Sequence, residues 1–99
     1  MRYADAVIVS FRDRATERLW SRYREPSIDP RLQRTALRKL AILDAATGLN
    51  ELRVPPANRL ERLTGSRRGQ YSIRISDQWR ICFVWTESGP ADVEIVDYH

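Results

Sequence analysis

The chain predicts an α+β fold in which two N-terminal helices pack on one face of a mainly antiparallel sheet. Three observations predict it. Apolar residues recur every three or four positions in the first half, they alternate with polar ones from Arg59 onward, and the change of period follows a loop holding Pro55-Pro56. Ninety-nine residues, 42% of them apolar and 30% charged, fit a single domain over 1–99 that buries a core of its own.

Ala6 to Ser10, β-branched and bounded by polar residues, reads as a short buried strand. Asp13 then caps a helix over Arg14 to Arg24, in which Ala15, Leu19 and Tyr23 share a face beside Trp20. Pro26 stops that helix. Asp29-Pro30 starts the second, because Asp caps and Pro at the first helical position loses an N–H that has no partner there anyway. Leu32, Ala36, Leu40, Leu43 and Thr47, widened by Leu37, form its buried stripe, with Arg31, Arg34, Arg38 and Lys39 largely outside it. Gly48 is expected as a left-handed cap.

After a loop over Leu49 to Ala57, Arg59 to Leu63 is a short strand and Thr64 to Gly69 a basic turn. Tyr71, Ile73 and Ile75 alternate with Ser72, Arg74 and Ser76, and beyond Asp77-Gln78 the residues Trp79, Ile81, Phe83 and Trp85 alternate with Arg80, Cys82, Val84 and Thr86. These are two paired strands. Glu87 to Ala91 is a five-residue turn, and Asp92 to Tyr98 is the last strand.

Seventeen basic residues against 13 acidic ones leave a net charge of +4, and sixteen of the basic ones are arginine. Arginine's planar fork binds phosphate with two parallel hydrogen bonds and stacks on bases, so the balance points to RNA or DNA unless it merely reflects codon usage. Position has to decide. The longest apolar run, Ala6 to Val9, is too short for a membrane span or a signal peptide, which predicts a cytoplasmic protein with no membrane partner. Cys82 and His99, the single cysteine and histidine, make neither a disulfide nor a tetrahedral zinc site, so no metal and no cofactor is expected.

Register determines which polar groups meet. If Thr86 pairs with Asp92 across the five-residue turn, Arg80 lies opposite Tyr98, beside Cys82 and Val96, while Trp79, Ile81, Phe83 and Trp85 pack under the helices. If Asp77-Gln78 is a two-residue turn, Arg74 falls on the opposite face from Arg80. Such a cluster suits metal-independent RNA cleavage, in which the 2′-hydroxyl is the nucleophile. The protein then supplies a base, an acid and cationic donors for the charge growing on the phosphate. Arg80 fits the last role. His99, with a reference pKa of ~6.5, exchanges protons near neutrality. Asp97 orients it, and Tyr98 stacks on a base or transfers a proton. The plainer readings stand beside these: a frayed terminal His, an Arg paired with a carboxylate such as Asp97, a half-buried Tyr, and a solvated Arg67-Arg68 loop.

The stretch Gly69-Gln70-Tyr71-Ser72-Ile73-Arg74-Ile75-Ser76-Asp77-Gln78-Trp79-Arg80-Ile81-Cys82-Phe83, followed by Asp92-Val93-Glu94-Ile95-Val96-Asp97-Tyr98-His99, resembles the HigB (plasmid maintenance killer) branch of the RelE-like toxins. The resemblance extends upstream through Leu43 to Ala46 as far as Ser10-Phe11. It implies the RelE-like, microbial-ribonuclease-like fold. It also implies a type II toxin that cuts mRNA codons in the ribosomal A site without metal and is held inactive by a helix-turn-helix antitoxin, HigA, with which it would repress on operator DNA. The implied catalytic set is Arg80, Asp97, Tyr98 and His99. Where several members have His and, three residues on, Lys, this chain has Glu61 and Thr64, with Arg62, Arg67, Arg68 and Arg74 as nearby cations for RNA. Losing an ammonium implies slow cleavage. The rival reading is a nucleic-acid-binding homologue that cleaves weakly or not at all and acts mainly in a repressor complex; a third is a plain nucleic-acid-binding domain.

Overall fold

The structure is a computed structural model that describes residues 7–98. Two helices, α1 (Arg14–Trp20) and α2 (Pro30–Ala45), precede a four-stranded antiparallel sheet of β1 (Glu61–Arg62), β2 (Tyr71–Arg74), β3 (Trp79–Thr86) and β4 (Gly89–Asp97), paired in that order. The α+β class is therefore as the change of period predicts. Leu19, Ala36, Leu40 and Leu43 of the helices meet Ile73, Ile81, Phe83 and Val93 of the sheet in one buried cluster. Trp79 and Trp85 pack against its margin, on the helix side as expected. No helix among the described residues is long and apolar enough to cross a membrane.

Four local expectations are corrected. The segment before α1 is no regular strand: Ala6 lies outside the described residues, and the rest runs half-buried or exposed beside β4. It is tied there by hydrogen bonds from Val9 N–H to the Pro90 carbonyl (2.7 Å) and from Val93 N–H to that of Ser10 (3.1 Å), and by one parallel bridge between Phe11 and Val93. Gly89, at φ +126°, lets this happen, since a Cβ there would collide with the Val7 carbonyl. Helix α1 stops at Trp20 and not at Arg24. Arg22 turns left-handed (φ 67°), and the N–H groups of Tyr23 and Arg22 bond back to the carbonyls of Arg18 and Leu19.

Helix α2 starts as expected, with the Asp29 carboxylate accepting from Arg31 N–H at 2.9 Å. It ends at an extended Ala46, and Gly48 (φ −156°) is extended too, so no left-handed cap forms. Lys39 is not on the solvent side. It is 6% exposed and donates to Asn58 Oδ1 at 2.6 Å, while the Asn58 amide donates to the carbonyls of Leu52 and Val54. This buried link pins the loop between α2 and β1 to the helix.

Candidate functional site

The hairpin between β3 and β4 turns in two residues, with Thr86 opposite Gly89 and Val84 opposite Ala91. Continued unbroken, that register would put Arg80 and Tyr98 on opposite faces. A bulge prevents it: the register shifts between Val84 and Cys82, where Asp92 adopts φ 51°, and from there Cys82 faces Glu94 and Arg80 faces Val96. The expected pairing of Arg80 with Tyr98 is thus wrong by two residues, although two residues preserve the face. Arg80 and Tyr98 end up diagonal neighbours, with the guanidinium carbon 5.7 Å from the ring centroid.

Arg80 is a buried residue, 7% exposed, and its fork is held on several sides. Nε donates to Ser72 Oγ at 2.7 Å, one terminal nitrogen donates to the Arg59 carbonyl at 2.6 Å, and the other lies 3.3 Å from Glu61 Oε1. The Glu61 side chain is 49% exposed, so this outer edge of the guanidinium is the one a ligand can reach. Beside it, Tyr98 is exposed and its N–H donates to the Gln78 carbonyl at 2.6 Å. Asp97 accepts from Gln78 Nε2 at 3.1 Å. These bonds hold the strand end in place through Tyr98. His99 lies outside the described residues.

Further along the same face, Glu94 Oε2 receives two guanidinium groups, Arg67 at 3.0 Å and Arg12 at 3.5 Å. The bond to Glu94 raises the Arg67 guanidinium above its ordinary range, with Cys82 and Tyr98 contributing. Cys82 sits beneath, fully buried; burial pushes its thiol up and Glu94 adds to this, while Arg67 and Arg80 oppose it. Arg12 and Glu94, like Ser72 and the Arg59 carbonyl, had no part in the sequence-based site. The polar-position alternation of β2 and β4 is the signal that finds Ser72 and Glu94, whereas nothing local finds Arg12 or the carbonyl.

The remaining expected residues divide. Arg74 is directly opposite Arg80 in the ladder and not on the other face, because the loop between β2 and β3 is wider than a two-residue turn, and its guanidinium pairs with Asp77. Arg62 stands on the helix-facing side instead: it pairs with Tyr71 in the ladder, lies 6.0 Å over that ring, and Tyr71 stacks on the core residue Phe83. With Thr64, Arg68 and Tyr71 it lines a concavity of about 590 Å³ at the β1–β2 loop. Glu61 and Arg62 thus put consecutive side chains on opposite faces of an edge strand.

Fold and face together define a class, a small α+β protein whose sheet carries guanidinium groups suited to an anion beside an aromatic ring, with carboxylates now paired to them. A family model described as a RelE-like toxin of the type II toxin-antitoxin system HigB matches residues 9–99. Toxin HigB-1 of Vibrio cholerae serotype O1 is 39% identical over 82 residues, which are 82% of this chain and 86% of that protein. An uncharacterised protein of Haemophilus influenzae is 39% identical over 56 residues, 57% of this chain and 55% of its own length. The chain belongs to the HigB-like family of RelE-like toxins of type II toxin-antitoxin systems, a class that is paired with an antitoxin.

Proposed function

We propose that the protein is a ribosome-dependent mRNA endonuclease that inhibits translation, acts in the cytoplasm, and is neutralised by a helix-turn-helix antitoxin of the HigA type. The observation that carries this reading is the buried guanidinium of Arg80, fixed by Ser72 and the Arg59 carbonyl, with the half-exposed Glu61 carboxylate on its remaining nitrogen and the exposed Tyr98 ring beside it. Transesterification at RNA needs charge stabilisation at the scissile phosphate, and a guanidinium already oriented supplies it without reorganising when the charge appears. RNA brings its own nucleophile, the 2′-hydroxyl. Arg80 takes the phosphate, and Tyr98 stacks on a base or passes a proton. His99 and Asp97 serve proton transfer at the chain end, with Glu61 the next base in line. Where Glu61 serves as that base, the phosphate displaces it from Arg80 and it takes the 2′-hydroxyl proton; the 2′-oxygen bonds to phosphorus as the bond to the 5′-oxygen breaks, and His99 or Tyr98 gives the leaving 5′-oxygen its proton.

Arg67 and Arg74 then gather flanking phosphates on the same face, while Arg62, Thr64 and Arg68 meet RNA only where it rounds the β1 edge. The ribosome supplies what this small face lacks, a fixed presentation of the codon. Thr64 is the one feature that favours a second reading, a weakly cleaving homologue acting mainly with its antitoxin on operator DNA, because the ammonium of the family pattern is missing there. Inducible expression of the toxin alone and with the antitoxin encoded beside it, followed by mapping of mRNA 5′ ends, separates the two. Growth arrest with new ends inside coding regions, relieved by the antitoxin, is the expected result. Arrest with intact mRNA moves the assignment to the second reading.

A further inference from the structure

We infer that Ser72 is a positioning residue for Arg80, fixing which edge of the guanidinium faces the substrate; this rests on the reading of Arg80 as the phosphate-holding group. Ser72 is fully buried at the centre of β2, with Glu61 of β1 opposite it on one side and Cys82 of β3 on the other. Arg80 starts on β3 and reaches Glu61 and the Arg59 carbonyl on the β1 side, so its side chain crosses β2 at Ser72. A long or aromatic side chain would stand in that path, and an apolar one of any size would leave Nε–H without its acceptor.

The hydrogen bond to Ser72 Oγ, 2.7 Å, takes the Nε corner, and the Arg59 carbonyl, offered by a residue at φ 46°, takes one terminal nitrogen. What remains is the other terminal nitrogen, the one beside Glu61. A guanidinium has five N–H donors in a rigid fork, so bonding two corners to fixed acceptors leaves its free edge with a single orientation. Without the Ser72 hydroxyl one terminal nitrogen still bonds to the Arg59 carbonyl at 2.6 Å and to the Ser72 carbonyl at 3.4 Å, but the Nε corner is free and the fork can pivot about that nitrogen; a displacement of about 1 Å at a reacting group can cost up to ~10²-fold in rate. Ser72 touches no substrate. It acts through Arg80.

Ser72→Ala keeps the space and removes the acceptor, while Ser72→Thr keeps a hydroxyl. In single-turnover cleavage of mRNA on programmed ribosomes, Ser72→Ala should lower the maximal rate ~10-fold or more with the half-saturating ribosome concentration unchanged, and Ser72→Thr should restore most of it. A Ser72→Ala protein that cleaves at the wild-type rate, or a Ser72→Thr protein that loses as much as Ser72→Ala, overturns the inference. A second measurement needs no cleavage: inorganic phosphate is titrated into the folded proteins and followed at the Arg80 side-chain NMR signals. Phosphate should perturb these in the wild type and in Ser72→Thr, and bind ~10-fold more weakly to Ser72→Ala. Equal binding by Ser72→Ala, or no phosphate response at Arg80 in the wild type, also overturns it. If the wild type takes phosphate as stated but never cuts mRNA, the endonuclease reading fails and the positioning role stands.

Discussion

Arg80 joins two tasks in one side chain, since the same guanidinium that offers an edge to a ligand also satisfies Ser72 Oγ and the Arg59 carbonyl inside the sheet. Its alternating position in β3 makes the site legible from sequence, but its burial is not, because burial depends on β1 and the Arg59 turn closing over it. Arg80 therefore cannot be removed without touching the fold. Arg80→Ala should abolish toxicity and also destabilise the protein by about 1–3 kcal/mol, the cost of two buried acceptors left without donors. Urea unfolding run beside the toxicity assay separates these effects. Arg80→Lys is the sharper probe: it keeps the charge and loses the fork, so it should remain far less toxic than wild type even where unfolding shows it fully folded. Thr64→Lys tests the departure from the family pattern. It returns an ammonium next to the basic loop and should raise cleavage in a timed mRNA 5′-end assay; unchanged cleavage would mean that the arginines already do that task.

Among the elements, the hairpin β3–β4 decides most. Its two-residue turn alone would separate Arg80 from Tyr98, and the extra residue at Asp92 reverses the parity. The sequence-based register reached the right face by a longer turn with no bulge, two compensating differences that alternation cannot distinguish. The loop before β1 is held by a different device, Lys39 with Asn58, which the helical stripe placed in solvent. Asn58→Ala would strand the Lys39 ammonium and two backbone carbonyls, and should cost about 3 kcal/mol in urea unfolding. Burial first, and then Arg38 and Arg74, push the Lys39 ammonium below its ordinary value of 10.5. The folded state then holds that proton less firmly than the unfolded chain does, so the burden it places on stability eases as pH rises from the lowered value toward 10.5. The unfolding midpoint of the wild type should accordingly gain on that of Lys39→Met across this alkaline range; parallel profiles would refute the assignment.

For the whole molecule, the seventeen basic groups outnumber the acidic ones by four, and several guanidinium groups are held by carboxylates, Arg12 and Arg67 by Glu94 and Arg80 by Glu61. RNA binding should weaken steeply with salt, with a slope near −0.7 per phosphate neutralised on single strands. Arg68→Ala should flatten that slope. Glu94→Gln should steepen it, because Arg12 and Arg67 are released together from one carboxylate oxygen. Identical slopes in filter binding for all three proteins would mean these arginines meet no phosphate. The two helices, the antiparallel strands and the apolar side of each were legible along the chain, since period and capping depend on neighbours a few positions apart. Which strand residues face each other was not, because a single bulged residue exchanges the faces of everything beyond it. Nor was the closing of Glu61, Ser72 and Arg59 around Arg80, which joins residues from 8 to 21 positions away from it and depends on the pairing of β1, β2 and β3 to bring them to hydrogen-bonding distance.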